Sequence, residues 1–227
     1  MKIGVLLSGC GVYDGSEIHE AVFALLAIDE NQAEAVCFAP DIEQHHVINH
    51  QTGEEMNEKR NVLTEAARIA RGNIGNLAGI TSTDIDALVI PGGFGAAKNL
   101  TKWAFEGPDG EILPDVKRII NEMITAGKPV AGLCMGPTVI AKALESSGIS
   151  ASLTVGTTEA PSPYEIEGIS AGMEKAGATA VMKTVEEIEV DMNNLIVSAP
   201  CYMMDASISQ IRNNIKTAID KLVELTK

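Results

Sequence analysis

Two kinds of apolar pattern alternate along this chain. Residues 2–7 (KIGVLL) form a short, nearly continuous apolar run that ends at Ser-Gly-Cys-Gly, the pattern of a buried strand leaving into a turn. From Ser16 to Asp29 (SEIHEAVFALLAID) apolar residues recur at helical spacing, with Ser16 placed to cap the first turn. The alternation then repeats. Residues 35–39, 86–90, 128–133 and 194–198 read as strands, and 61–71, 114–126, 137–147 and 206–225 as helices. Residues 153–156 and 180–183 are shorter strand candidates. Residues 41–60 break the rhythm: they are polar, carry three of the four histidines, and read as an excursion from the sheet.

Strands that are apolar on both faces and alternate with helices predict an α/β three-layer sandwich, a mostly parallel sheet with helices on both faces. Ligands in such folds bind beyond the carboxyl ends of the strands. That rule singles out segments 8–17, 40–60, 91–98, 134–138 and 199–205. With no linker, repeat or low-complexity tract, residues 1–227 read as one domain.

Composition narrows the function classes. The formal charge of −14 argues against nucleic acid and anionic membrane surfaces, both polyanions. No apolar run approaches the roughly 18 residues of a membrane span. The start, MKIGVLLSG, lacks the features of a signal peptide, so a cytoplasmic location is expected. Cys10, Cys37, Cys134 and Cys201 are scattered without CxxC or metal-ligand spacing, which predicts neither a metal site nor a disulfide framework.

Cys134 is the leading candidate for chemistry. In Ala131-Gly132-Leu133-Cys134-Met135-Gly136-Pro137 a strand runs straight into a helix with the thiol at the junction, the layout of a nucleophile elbow. The helix start beside it is expected to favour the thiolate; the plainer reading is a small core residue. In Pro91-Gly92-Gly93-Phe94-Gly95 paired glycines fit either an oxyanion pocket of backbone N–H groups or a tight turn. Its spacing matches no nucleotide fingerprint. Glu17 is placed either to cap its helix or to face Cys134 and relay a proton. His19 is expected on another side of that helix. Cys10 either lines the pocket or fills a gap, Cys201 either borders the site or packs, and Cys37 reads as core.

The segments SGCGVYDGSEIHEAV, VINHQTGE, RNVLTEAARIARG and VIPGGFGAAKNL, with the later Cys elbow, resemble the class I glutamine amidotransferase-like superfamily, PfpI-type branch. More narrowly they resemble its ElbB group (enhancing lycopene biosynthesis protein, isoprenoid biosynthesis glyoxalase), over essentially the whole chain. The resemblance implies a flavodoxin-like sandwich and a homodimer. It implies Cys134 as nucleophile, Glu17 as its acidic partner, and N–H groups around Gly92, Gly93 and Met135 as an oxyanion pocket. It also implies a cofactor-free glyoxalase that converts glyoxal or other small 2-oxoaldehydes to hydroxy acids, with protein deglycation as a further activity. One departure stands out. Many relatives place a histidine shortly after the nucleophile, but here the four are His19, His45, His46 and His50. His50 would have to return over the site from residues 41–60 or from a partner subunit. Two rival readings are an amide hydrolase, which the missing base disfavours, and a redox sensor acting through Cys134.

Overall fold

The computed structural model describes residues 1–227. Its elements in chain order are β1 (Lys2–Leu6), α1 (Ile18–Glu30), β2 (Glu34–Ala39), α2 (Val62–Ile69), β3 (Gly75–Asn76), β4 (Ala87–Ile90), α3 (Trp103–Glu106) and α4 (Pro114–Thr125). They continue with β5 (Val130–Leu133), α5 (Gly136–Leu144), β6 (Ser152–Leu153), α6 (Ile166–Lys175), β7 (Thr179–Ala180), β8 (Glu189–Asp191), β9 (Ile196–Ala199) and α7 (Ile208–Glu224).

Seven strands form one sheet in the order β3-β2-β1-β4-β5-β9-β8, parallel except for β8, which runs antiparallel to β9. The central strands β4, β5 and β9 are buried at every residue, as the continuous apolar runs predicted. Helix α1 packs on α7, and α4 on α5. Right-handed crossovers that run outward in opposite directions from β1 and β4 place these two pairs on opposite faces. The α/β sandwich with a mostly parallel sheet is therefore the observed fold. The direction of strand order reverses between β1 and β4, the crevice where such sheets bind ligands.

Several details depart from the hydrophobic pattern. The predicted strands at 153–156 and 180–183 shrink to β6 and β7, which pair with each other in a separate parallel ribbon. Strands β3 and β8 lie at the sheet's two edges, where alternation is weak and length short. Helix α6 carries Gly168 and Gly172, which dilute its periodicity. Gly172 is small because Trp103 lies against it: a Cβ there would come within 2.8 Å of the indole. The expected cap Ser16 instead accepts the Ser8 N–H through its hydroxyl, at 2.9 Å, and Glu17 caps α1.

The polar excursion is fastened down rather than loose. Antiparallel bridges join Glu43 to Asn61 and Ile48 to Glu55, and the Ile48 N–H donates to Asp14 Oδ2 at 2.7 Å. Buried Asn99 ties three segments together. Its Nδ2 donates to the carbonyls of Ser8 and Asp14, both at 2.9 Å, and its Oδ1 accepts the His45 N–H at 3.0 Å. Asn99→Ala strands three backbone groups and should cost about 2–4 kcal/mol of stability. Denaturant unfolding checks this; a loss under about 1 kcal/mol would mean that water replaces the amide.

Candidate active site

Four loops meet above the carboxyl ends of β1, β4, β5 and β9. Cys134 follows β5 directly, with α5 starting two residues later. Its φ of +56° lies in the left-handed region that non-glycine residues seldom enter, which is the strain expected at a nucleophile elbow. The Cys134 N–H donates to Ala199 O at 2.9 Å, and the Thr138 hydroxyl to Met135 O at 2.8 Å, fixing both sides of the turn. Gly92 passes so close that a Cβ on it would lie 2.8 Å from Cys134 Sγ and 2.7 Å from Glu20 Oε2. No larger residue fits. Gly93, at φ +92°, then turns its amide toward the thiol.

The carboxyl beside the thiol belongs to Glu20. Its side chain is fully buried, with Oε2 accepting the Gly92 N–H at 3.1 Å and Oε1 accepting the Tyr202 N–H at 3.2 Å. Glu20 is also the carboxyl in hydrogen-bonding reach of Cys134. The pairing expected of Glu17 is thus corrected in geometry: Glu17 Oε2 accepts the Glu20 N–H at 2.7 Å, capping α1. As the cap it sits at the helix mouth, where it borders the cavity, while the residue one turn on points inward. The expected oxyanion set also changes. The Gly92 amide is occupied by Glu20, which leaves those of Gly93 and Met135 directed at the sulfur.

Burial decides the protonation of the pair. A helix N-terminus is worth about 0.3–1 kcal/mol, less than one pKa unit, whereas full burial moves a group by up to about 3–5 units. Burial pushes the Cys134 thiol well above its usual range and the Glu20 charge adds to this, with the Gly93 and Met135 amides opposing. The expectation of a thiol acidified by α5 is therefore overturned. Glu20 is itself raised to about 8, by burial first and by the Glu17 charge second. Iodoacetamide alkylation of Cys134, read by mass spectrometry, should keep accelerating through about pH 8 as the pair gives up its first proton. A rate that levels off below pH 7 would contradict this ordering.

None of the other candidates lines the cavity. His50 supports the β1 loop: its Nδ1 donates to Ile48 O at 3.0 Å, and Nε2 accepts the Tyr13 N–H at 3.2 Å and lies 3.7 Å from Asp14 Oδ1. It does not come over Cys134 within the chain, nor does it line the cavity. Cys10 is half-buried among Arg68, Glu65 and Asp14, none of which borders the cavity. Cys201, at φ +49°, is fully buried beneath the elbow and donates its N–H to Asn214 Oδ1 at 2.9 Å. Cys37 is core, as its strand position predicted. His19 reaches the rim indirectly, with Nδ1 2.9 Å from the Tyr202 hydroxyl.

Above Cys134 opens a cavity of about 450 Å³ lined by fourteen residues, eleven of them hydrophobic. Phe94, Trp103, Tyr164 and Tyr202 supply its aromatic wall, and its only charged residues are Glu17 and Glu165. Burial and the nearby Cys134 and Glu20 push the Tyr164 hydroxyl up to about 12, so it stays a neutral donor.

Over 227 residues, 99% of this chain and 83% of the relative, the sequence is 40% identical to human glutamine amidotransferase-like class 1 domain-containing protein 3, mitochondrial. The chain belongs to the glutamine amidotransferase-like class 1 domain family. It is also 40% identical to the rat ES1 protein homolog, mitochondrial, covering 99% of this chain and 84% of that one. A crystal structure of an Ehrlichia chaffeensis isoprenoid biosynthesis protein with amidotransferase-like domain superposes with a TM-score of 0.90 at 33% identity, over 100% of both chains. That relative supports the narrower resemblance to the isoprenoid-biosynthesis group. No family model matches the chain. Mitochondrial location is said of the animal relatives. For this chain, no helix is long and apolar enough to cross a membrane.

In this amidotransferase-like domain the residues missed from sequence had partial signals. Glu20 falls on the same helical face as Ala24, Ala27 and Ile28, all buried, so a carboxylate on an apolar stripe was the clue. The Tyr202 amide and the walls from α3 and α6 carried none, because a backbone donor, a four-residue helix and a glycine-diluted one leave no residue-type signature.

Proposed function

We propose that this protein is a cofactor-independent glyoxalase that turns a 2-oxoaldehyde into the 2-hydroxy acid by way of a hemithioacetal on Cys134. The observation that carries the reading is the buried Cys134–Glu20 pair under a cavity that no histidine lines. Glu20, as the carboxylate, takes the thiol proton while sulfur adds to the aldehyde carbon C1. The Gly93 and Met135 amides receive the oxyanion that forms. Glu17, which lines the cavity next to Glu20 on α1, removes the proton from C1 and delivers it to C2, leaving a thioester. Water hydrolyses the thioester, and the thiol recovers its proton. The sum is R–CO–CHO plus water giving R–CHOH–COOH, with C1 oxidised and C2 reduced inside one molecule.

With Glu20 raised to about 8, only about one-tenth of it is ionised at pH 7, so turnover is slow there and rises with pH. The wider reading includes a homodimer, for which the exposed apolar stripe Ile18, Val22 and Leu26 on α1 offers surface. Protein deglycation would use the same thiol, and the isoprenoid link rests on a relative's name. The test is direct: purified protein and glyoxal alone should yield glycolate by proton NMR. Glyoxal left unconverted at high protein concentration would overturn the proposal.

A further inference from the structure

We infer that the substrate is an uncharged 2-oxoaldehyde whose C2 carries an apolar group about the size of a ring. This rests on the glyoxalase reading and adds what that reading leaves open, the identity of R.

Size comes first. Glyoxal would fill roughly two or three water volumes of about 30 Å³ each. The cavity holds about 450 Å³, inside the range of sites that enclose larger ligands. Its walls come next. Val12, Phe94, Ala97, Ala104 and Ile169 give most of the wall over to side chains without a polar atom, and the Trp103, Tyr164 and Tyr202 groups add neutral polar atoms but no cation. Phe94 and Tyr164 stand edge to face, with ring centroids 5.9 Å apart, a geometry that accepts another ring or a branched alkyl group.

Charge then removes the anionic alternatives. Glu17 and Glu165 are the charged residues of the lining, and no Lys, Arg or His joins them. Two basic side chains touch the aromatic wall from outside the lining, and both are engaged: Lys98 Nζ donates to Tyr13 O at 2.8 Å and lies 5.4 Å from the Phe94 ring centre, and His19 Nδ1 is 2.9 Å from the Tyr202 hydroxyl. A phosphate, diphosphate or carboxylate on R would leave water, meet two carboxyls and find no cation. The same absence counts against free glutamine, whose α-carboxylate would be equally unmatched.

The experiment compares glyoxal, phenylglyoxal and 4-carboxyphenylglyoxal as substrates. In parallel, it measures protection of Cys134 from iodoacetamide by acetophenone and by benzoate, neither of which can turn over. The expected result is a kcat/KM for phenylglyoxal at least about 10-fold above that for glyoxal, from burial of the ring. The para-carboxylate should lose about 10-fold or more, and Glu165→Lys should recover part of that loss. Acetophenone should protect and benzoate should not. If no aldehyde turns over yet acetophenone alone protects, the glyoxalase reading fails and the ligand class stands. If glyoxal turns over as well as phenylglyoxal and acetophenone gives no protection, the glyoxalase reading stands and this inference is overturned. Equal protection by benzoate also overturns it.

Discussion

Cys134→Ala should abolish glycolate formation from glyoxal, by at least about 10³-fold, while Cys10→Ala keeps most of it. The thiol sits at the strained junction between β5 and α5, beneath the cavity and beside a buried carboxyl. Alanine removes the nucleophile and leaves the Gly93 and Met135 amides with no adduct to stabilise. Cys10 lies outside the cavity lining, where it feels the charges of Arg68 and Glu65, so its loss touches no reacting atom. Cys201→Ala keeps the chemistry but opens a hole under the elbow, and it should unfold at lower denaturant. Glycolate production by Cys134→Ala at the wild-type rate would end the mechanism.

Glu20→Gln should lower kcat at pH 8 by about 10²–10³-fold, the usual effect of removing a general base. The signature that separates this from a packing defect is the pH profile. Wild type gains rate through about pH 8 as the coupled pair ionises; in Glu20→Gln that step disappears, and burial alone holds the thiol above 9. Stability should change in a linked way. Glu20 has its pKa raised from 4.5 to about 8 on folding. Its contribution is therefore fully present below pH 4.5, is lost as pH rises through about 8, and stays lost above that. The stability gap between wild type and Glu20→Gln should shrink over that window, by urea unfolding at several pH values. Glu17→Gln should behave differently: it lowers kcat and, by removing the charge that helps to raise Glu20, moves the alkylation profile of Cys134 to lower pH without abolishing its step. Identical profiles for the two variants would merge the roles assigned to them.

Much of this site was legible before any coordinates. The continuous apolar runs at residues 86–90 and 128–133 became β4 and β5, and the rule that ligands gather at strand carboxyl ends pointed to the loops that now carry Gly93, Cys134 and Glu17. The carboxyl was misplaced by one helical turn, because a residue in the first turn of α1 is equally suited to capping and to facing inward. Only the burial of Glu20 separates the two. Gly92 was read as an oxyanion donor, but its amide serves Glu20, a partner 72 residues away that no local pattern contains. The acidity of Cys134 was misjudged for the same reason. Helix-end effects are local and readable, while desolvation depends on everything packed around the group. The cavity walls from α3 and α6 come from stretches whose glycines and short lengths hide their periodicity.

The most direct test of the account is to trap the covalent adduct. Protein mixed with glyoxal, quenched in acid after short times and digested, should carry one added glyoxal on the peptide containing Cys134. The adduct should persist longer in Glu17→Gln and be absent from that position in Cys134→Ala. Modification confined to other residues, with Cys134 free while glycolate accumulates, would contradict it.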